Sequence, residues 1–211
     1  AAGIPTGMAR AASNMAEVED AMDDFGAPYV IKADGLAAGK GVIVTADRAE
    51  AIAHAQKFIS GGVLVEEFLE GPEVSLFFLS DGNSVLPLTP AQDFKRALDG
   101  DRGPNTGGMG AYSPLPWAPD DIVEETYEKV LAPVVAEMAA RGTPFIGLLY
   151  AGLSLTKSGL KVIEFNARFG DPETQVLIPR LATPLALLLY KAATDSLDDV
   201  ALSWRDESAV T

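Results

Sequence analysis

The chain has 211 residues, 48% of them hydrophobic, which is enough for one substantial core or two small lobes. Lys and Arg total 16 against 30 Asp and Glu, and the resulting net charge of −14 argues against a general nucleic-acid or anionic-membrane surface. There is no cysteine and one histidine, His54, which excludes disulfides, Cys nucleophiles and sites built from several histidines.

The sequence predicts helices that alternate with strands, several of which form hairpins. Ser13 and the pair Asp47 and Glu50 are predicted to cap the first two helices, and Pro133 is expected to kink a later one. In order, we predict a helix (14–25), strands (29–33, 42–45), a helix to about residue 59, strands (63–67, 73–80, 84–88), a helix (120–140), strands (145–156, 160–166) and a helix (184–194). This mixture favours an α+β fold with antiparallel sheets.

Residues 34–41 form a glycine-rich segment between two predicted strands, with Lys32 before it and Lys40 near its end. It is not a P-loop, because only three residues separate Gly35 from Gly39 and the segment leads into a strand. A glycine-rich hairpin can fold over a triphosphate and offer backbone N–H groups and ammonium charges. The alternative is an ordinary surface hairpin with solvated lysines.

A strand at residues 63–67 runs into a connector that ends at Glu73. Backbone groups at the end of such a strand can meet the edge of an adenine, and Glu73 is placed to accept hydrogen bonds from ribose hydroxyls. Glu66 and Glu67 point to opposite faces of the strand, so only one of them can face a site.

The run at residues 162–173 begins as a strand and continues past it to an arginine. Glu164 and Asn166 share one face of the strand and Arg168 follows it, while Ile163 and Phe165 are predicted to face the core. Oxygen ligands in this arrangement suit Mg²⁺, and an adjacent arginine suits the phosphate oxygens that the metal would bridge. The alternative is an edge strand with a solvated polar face.

Residues 100–114 hold five glycines and two prolines and are predicted to form a long functional loop. Taken in order, the hairpin, the strand with its connector and the Glu-x-Asn run resemble an ATP-grasp domain. With QDFKR (92–96) and GPNTGGMGAYSP (103–114), the chain resembles the phosphoribosylamine–glycine ligases of that superfamily. The resemblance implies two α+β lobes with the nucleotide between them. Their expected bounds are 1–75 for the lid subdomain with a flanking linker, 76–195 for the larger subdomain, and 196–211 for the start of a connection to a missing C-terminal domain.

The resemblance also implies roles for individual residues. Residues expected to contact ATP are Lys32, Gly35, Leu36, Ala37, Gly39, Lys40, Gly41, Glu66, Glu67, Phe68, Leu69 and Glu73. Residues expected to contact the other substrates are Asp93, Lys95, Arg96, Asn105, Thr106, Gly107, Gly108, Met109, Arg168, Asp171, Pro172 and Glu173. Glu164 and Asn166 are expected to hold Mg²⁺ or Mn²⁺, and Lys32, Asp93 and Arg168 to act in catalysis.

The activity that the resemblance implies is ATP-dependent ligation of glycine to 5-phosphoribosylamine through glycyl phosphate. The products would be glycinamide ribonucleotide, ADP and phosphate. The alternatives are another ATP-grasp carboxylate–amine ligase and an ATP-binding module without activity of its own. We expect small-molecule substrates, no nucleic-acid or membrane partner, a monomeric full-length enzyme and a cytoplasmic location.

Overall fold

The computed structural model describes residues 2–35, 41–100 and 102–211, with the backbone alone for residues 104 and 105. These residues form two compact units, Thr6–Glu70 and Gly71–Thr211, and the second unit also includes the N-terminal residues through Pro5. The first unit therefore ends at residue 70, five residues before the expected end of the lid subdomain. No helix in the described ranges is long and apolar enough to cross a membrane.

The unit Thr6–Glu70 is a four-stranded antiparallel sheet with two helices packed on it. Its strands are ordered β1-β4-β2-β3. The elements are β1 (Ala9–Ala12), α1 (Met15–Phe25), β2 (Tyr29–Ala33), β3 (Val42–Thr45), α2 (Arg48–Phe58), a short 3₁₀ turn (Ile59–Gly61) and β4 (Val63–Glu66). The core lies between sheet and helices and includes Val18, Met22, Ile31 and Val63.

The caps of the two helices differ from the predicted ones in detail. Asn14, not Ser13, caps α1, and its side chain accepts the backbone N–H of Glu17 at 3.1 Å. Asp47 caps α2 as predicted, because its carboxylate accepts the N–H of Glu50 at 3.3 Å. The Glu50 carboxylate accepts a hydrogen bond from the Thr45 hydroxyl, so it does not complete the predicted capping box.

The larger unit contains two antiparallel sheets, ordered β10-β9-β5-β6 and β11-β8-β7. Its strands are β5 (Glu73–Asp81), β6 (Val85–Pro87), β7 (Gln92–Leu98), β8 (Arg102–Ser113), β9 (Ile146–Thr156), β10 (Gly159–Asn166) and β11 (Ala209–Val210). Its helices are α3 (Ile122–Thr126), α4 (Ala132–Ala140), α5 (Thr174–Arg180) and α6 (Leu185–Ala193). A π-helical turn (Tyr127–Leu131) joins α3 to α4 just before Pro133, so the long predicted helix is interrupted there. The α+β class with antiparallel sheets is confirmed.

The prediction of a long loop at residues 100–114 is wrong, because most of this segment is strand β8. It pairs with β7 in an antiparallel hairpin whose register shifts on either side of Arg96. Two of the glycines in this segment allow close packing against other parts of the chain. A Cβ on Gly110 would lie 2.6 Å from the carbonyl oxygen of Thr211, and one on Gly108 would lie 2.5 Å from Pro172 Cδ. Close neighbours therefore account for glycine at these two positions, and Gly103 and Gly108 also have φ angles of +85° and +133°, a backbone conformation that favours glycine.

The tail at residues 196–211, expected to be a connection, packs against the larger unit. Leu197 joins the core around α6, and β11 pairs with β8. The buried carboxylate of Asp81 accepts the N–H groups of Leu197, Asn83 and Ser84 at 2.7–3.1 Å. Burial opposes the charge of this carboxylate, but the backbone donors outweigh burial and lower the pKa of Asp81.

Arg180, at the end of α5, forms hydrogen bonds with both β8 and the tail (196–211). Its buried guanidinium donates to the Ser113 hydroxyl at 2.7 Å and to the carbonyl oxygens of Glu207 and Arg205 at 2.8 and 3.4 Å. Burial lowers the pKa of Arg180. The end of α5, the strand β8 and the tail are thus held by one side chain.

Candidate functional site

Lys32 and Glu66 form an ion pair across two neighbouring strands of the smaller unit. The Lys32 Nζ lies 2.7 Å from a Glu66 carboxylate oxygen, and both side chains are mostly buried. Strands β2 and β4 are paired in the sheet, which brings these two residues together. Gly41 closes the hairpin after the glycine-rich segment by accepting the N–H of Ala33 at 2.8 Å. Gly35 also lies in the described range, whereas Leu36, Ala37, Gly39 and Lys40 lie outside the described residues.

Glu66 and Glu67 have different partners, as the alternation along the strand predicts. The Glu67 carboxylate accepts the N–H of Met8 at 3.0 Å, and the Glu67 N–H donates to the Met8 carbonyl at 2.9 Å. Leu69 packs against Gly7, where an added Cβ would lie 3.3 Å from its side chain. Phe68 is exposed.

In the larger unit, Lys95 joins two carboxylates. Its Nζ lies 3.2 Å from Glu73 at the start of β5 and 3.4 Å from Asp93 on β7. The side chains of Lys95 and Glu73 are about half exposed, while the Asp93 side chain is buried. Burial disfavours the ammonium, but Glu73 and Asp93 outweigh burial and raise the pKa of Lys95 to about 12.

Glu164, Asn166 and Arg168 form what we call the strand-end row, at the end of β10. The Asn166 amide donates to the Glu164 carboxylate at 3.1 Å, and Arg168 lies 3.4 Å from the Asn166 amide oxygen. Arg168 also donates to the carbonyl of Phe169 at 3.0 Å. Glu164 and Arg168 are exposed and Asn166 is partly so, which leaves their oxygen atoms and guanidinium accessible to ligands.

The prediction that Ile163 and Phe165 face the core is wrong for Phe165, whereas Ile163 is partly buried. Leu160 and Val162 are the buried residues of β10, and Phe165 is 37% exposed. The register shifts between Val162 and Glu164, and this irregularity breaks the alternation on which the prediction depended.

The strand beside the row offers room for Glu164. Gly152 on β9 pairs with Glu164, and an added Cβ there would lie 3.3 Å from Glu164 Cγ. Within the described ranges, no group of three or more His, Cys, Asp or Glu is arranged to hold a metal ion. The oxygen atoms of the row that could bind a metal ion therefore come from one carboxylate and one amide.

Four side chains form a second polar group, which we call the hydroxyl–carboxylate cluster: Ser75, Asp93, Tyr150 and Glu173. The Ser75 hydroxyl lies 2.8 Å from the Tyr150 hydroxyl, 3.3 Å from the Glu173 carboxylate and 3.5 Å from the Asp93 carboxylate. Ser75, Tyr150 and Glu173 are 2–5% exposed. Burial and the nearby charge of Glu173 raise the pKa of Tyr150, so its hydroxyl keeps its proton.

Ser75 and Tyr150 are functional candidates that sequence reasoning missed. Ser75 lies on β5 and Tyr150 on β9, and their registers bring them onto one face of the sheet. The sequence signal was weak, since a serine and a tyrosine in apolar strands are usually read as core or turn residues.

The run at residues 170–173 lies against both the cluster and β8. A Cβ on Gly170 would lie 2.3 Å from a Glu173 carboxylate oxygen and 2.8 Å from Phe77. A Cβ on Gly108 would lie 3.0 Å from the Asp171 carbonyl. The structure therefore brings together the two segments that carry most of the predicted substrate-binding residues. Asp171 is exposed, and its carboxylate accepts the side-chain N–H of Gln175.

The remaining predicted substrate residues lie along the β7–β8 hairpin. Arg96 donates to the carbonyl of Gly103 at 2.8 Å, so its guanidinium is engaged within the hairpin. The Thr106 hydroxyl donates to the Lys95 carbonyl at 2.8 Å and accepts the N–H of Gly108 at 3.1 Å. Met109 is exposed, Gly107 has open space around it, and Asn105 pairs with Arg96 through the strand register.

The antiparallel sheets and the Glu-x-Asn strand end define the chain as an ATP-grasp protein, and the predicted fold is confirmed. The model of the family described as phosphoribosylglycinamide synthetase, ATP-grasp (A) domain, matches residues 1–174. The chain belongs to this family.

Curated relatives and solved structures agree with this assignment. The chain is 66% identical to a phosphoribosylamine–glycine ligase of Leifsonia xyli over 93% of its length, and 64% identical to one of Streptomyces coelicolor over 100%. These matches cover 47% and 50% of the two relatives, so the chain spans about half the length of each. The crystal structure of phosphoribosylamine–glycine ligase from Thermotoga maritima is 33% identical, with a TM-score of 0.87 over 99% of this chain and 55% of that one. An N5-carboxyaminoimidazole ribonucleotide synthetase from Thermus thermophilus shares the fold at 16% identity and a TM-score of 0.71, over 99% of this chain and 52% of that one.

Proposed function

We propose that this chain is the ATP-grasp part of a ligase that joins glycine to 5-phosphoribosylamine and forms glycinamide ribonucleotide, ADP and phosphate. The observation that carries the proposal is the strand-end row, in which Asn166 bridges an exposed carboxylate and an exposed guanidinium. Its support comes from relatives named phosphoribosylamine–glycine ligase, to which the chain is 64–66% identical.

In the proposed reaction, the glycine carboxylate attacks the γ-phosphorus of ATP and ADP leaves. The amine of phosphoribosylamine then attacks the carbonyl carbon of the resulting glycyl phosphate, and phosphate leaves. Phosphorylation is needed because a carboxylate is a poor electrophile. No covalent enzyme intermediate is required, which is compatible with a chain that has no cysteine.

Positioning and charge neutralisation would supply the catalysis. Arg168 would steady the transferred phosphoryl group, and the Lys32 ammonium would turn from Glu66 towards the nucleotide phosphates. Asp93 is a candidate to accept a proton from the attacking amine.

A divalent cation fits the donors of the strand-end row. A carboxylate oxygen of Glu164 and the amide oxygen of Asn166 are hard oxygen ligands at an accessible strand end. Bound there, Mg²⁺ or Mn²⁺ would offset the negative charge of the phosphate oxygens.

We infer that the nucleotide contacts two segments. One is the hairpin between Gly35 and Gly41, and the other is the segment that follows β4. Glu66 and the backbone of Glu67 and Leu69 would contact the adenine, and Glu73 would contact the ribose.

The net charge of −14 supports small-molecule partners over nucleic acid or membrane. A cytoplasmic, monomeric full-length enzyme remains our expectation.

Calorimetry of this chain with ATP, with and without Mg²⁺, tests the nucleotide part of the proposal. We expect Mg²⁺-dependent ATP binding and weak or no ligase activity from the chain alone. The full-length gene product should release phosphate from ATP only when glycine and phosphoribosylamine are both supplied. Phosphate release that requires a different carboxylate or amine would indicate another ATP-grasp ligase. An absence of Mg²⁺-dependent ATP binding would contradict both the proposed ligase and the other ATP-grasp ligases.

A further inference from the structure

The hydroxyl–carboxylate cluster contains two residues, Ser75 and Tyr150, to which the proposed function gives no role. We propose that Tyr150, acting through Ser75, is a positioning residue that fixes the carboxylates of Asp93 and Glu173 for recognition of the ammonium group of the amino-acid substrate. This inference rests on the proposed function, because Asp93 and Glu173 belong to its substrate-binding residues. Neither hydroxyl needs to contact the substrate itself.

The hydrogen-bond distances place the Ser75 hydroxyl between the Tyr150 hydroxyl and two carboxylates. The Ser75 hydroxyl has one proton and three oxygen neighbours, at 2.8, 3.3 and 3.5 Å. Two of these neighbours are carboxylates, which only accept hydrogen bonds when ionised. If the Ser75 proton goes to a carboxylate, Tyr150 must be the donor in the bond between the two hydroxyls. In that arrangement the Tyr150 hydroxyl holds the Ser75 oxygen and leaves the Ser75 proton for the carboxylate of Asp93 or Glu173.

Packing holds the tyrosine in the orientation that this arrangement needs. The Tyr150 ring lies 4.5 Å from the ring of Phe77, measured between centroids, and Phe77 is fully buried. The backbone of Gly170 closes over Glu173 and Phe77, leaving no space for a Cβ. Because both the ring and the carboxylate are confined, a lost hydroxyl cannot be replaced by a small rotation of either.

The charges around the cluster explain why an ammonium group is the expected ligand. Glu73, Asp93 and Glu173 contribute three carboxylates, and in the described part of the chain Lys95 is the one cation that forms a salt bridge with any of them. Asp93 and Glu173 are buried and Glu73 is about half exposed, so one lysine leaves a surplus of negative charge that favours the arrival of another cation. The α-ammonium of glycine is such a cation, whereas ATP is an anion.

The test compares the full-length gene product with its Tyr150→Phe and Ser75→Ala variants. Glycine-dependent phosphate release is measured at saturating phosphoribosylamine, first as glycine is varied at saturating ATP and then as ATP is varied at saturating glycine. Each variant should raise KM for glycine about tenfold, as expected when a hydrogen bond to a charged group is lost. KM for ATP should change by less than about twofold. The double variant should be little worse than either single one, because both hydroxyls act on the same carboxylates.

Thr126→Val is the matched control, because it removes a buried hydroxyl that donates to the Ile122 carbonyl within α3. It should lower stability without changing KM for glycine. If Tyr150→Phe does not fold, Ser75→Ala decides the question. Unchanged KM for glycine in the folded variants of an active enzyme, or an equal rise in both KM values, would overturn the inference. A wild-type enzyme without glycine-dependent phosphate release would instead overturn the proposed function, and the inference with it.

Discussion

The strand-end row and the hydroxyl–carboxylate cluster hold polar groups in opposite ways. The row is built from one strand and the residues just past it, and Glu164 and Arg168 are exposed. The cluster draws Ser75, Asp93 and Tyr150 from three strands and Glu173 from the start of α5, and its members are buried. An exposed row can exchange water for ligands at little cost to folding, whereas a buried cluster must be satisfied within the fold.

This difference predicts that the row governs chemistry and the cluster governs both chemistry and stability. Substitutions in the row should leave the fold intact, because the side chains make few buried contacts. Substitutions at or behind the cluster should lower the free energy of unfolding.

Glu164→Gln should have the largest effect. Losing the carboxylate should reduce phosphate release by the full-length enzyme at least about 100-fold, because a negatively charged metal ligand is replaced by a neutral amide. It should also abolish the Mg²⁺ dependence of ATP binding to this chain, measured by calorimetry. The free energy of unfolding should change by less than about 0.5 kcal/mol, since Glu164 is exposed.

Glu124→Gln, at an exposed position of α3, is the control for the loss of one carboxylate. It should leave activity, Mg²⁺ dependence and stability unchanged. A Glu164→Gln protein that retains Mg²⁺-dependent ATP binding would show that the row does not hold the metal.

Arg180→Met should produce the largest loss of stability, about 3 kcal/mol, because it leaves buried carbonyl and hydroxyl acceptors without their donor. The damage should be local. Hydrogen exchange should become faster at the amides of β8 and β11, which Arg180 holds together, while β9 and β10 stay protected.

Arg141→Met is the control, because Arg141 makes an exposed ion pair with Glu137 on the same helix. We expect little change in its stability. If amide hydrogen exchange in Arg180→Met became equally fast in β8 and β10, the strand that carries the row would not be independent of the segments that Arg180 holds.

Gly170→Ala should destabilise the chain by about 2 kcal/mol, because the new methyl group would collide with Glu173 and Phe77. Gly107→Ala is the matched control for stability, since no atom lies within 4 Å of its Cβ position. Chemical denaturation of the two variants measures the contrast. Equal stability would mean that Glu173 and Phe77 can move aside, and that the cluster is looser than its packing indicates.

Sequence periodicity predicted the row well because all of its geometry is local. Residues two apart on a strand share a face, so Glu164 and Asn166 could be placed together without knowing any partner. The bounds of β9 and β10 were also predicted within a residue, since a short polar turn separates two apolar strands. The exposure of Phe165 was missed because a bulge has no clear signature in the sequence.

The cluster and strand β8 could not be predicted in the same way. Ser75 and Glu173 are 98 positions apart in the chain, and only the sheet register and the start of α5 bring them together. The glycines of β8 were interpreted as a sign of a loop, yet the segment is a strand in which Thr211 approaches Gly110 and Pro172 approaches Gly108. Such contacts depend on tertiary structure, which local propensity does not contain.

Lys95 lies at the border between the exposed and buried regions, and the effect expected there is the smallest. Its pKa is raised from 10.5 to about 12, so its ion pairs contribute stability that is fully present below pH 10.5 and is lost as the pH rises towards 12. Because the Lys95 side chain is 40% exposed, solvent screening limits this contribution to about 1 kcal/mol or less.

Glu73→Gln should lower the pKa of Lys95, as followed by NMR titration of the lysine side chain. Glu125→Gln, which removes the partner of Lys129 on an exposed helical face, should lower the pKa of Lys129 and leave that of Lys95 unchanged. A Lys95 pKa that does not respond to Glu73→Gln would place the lysine with the buried cluster alone, held by Asp93.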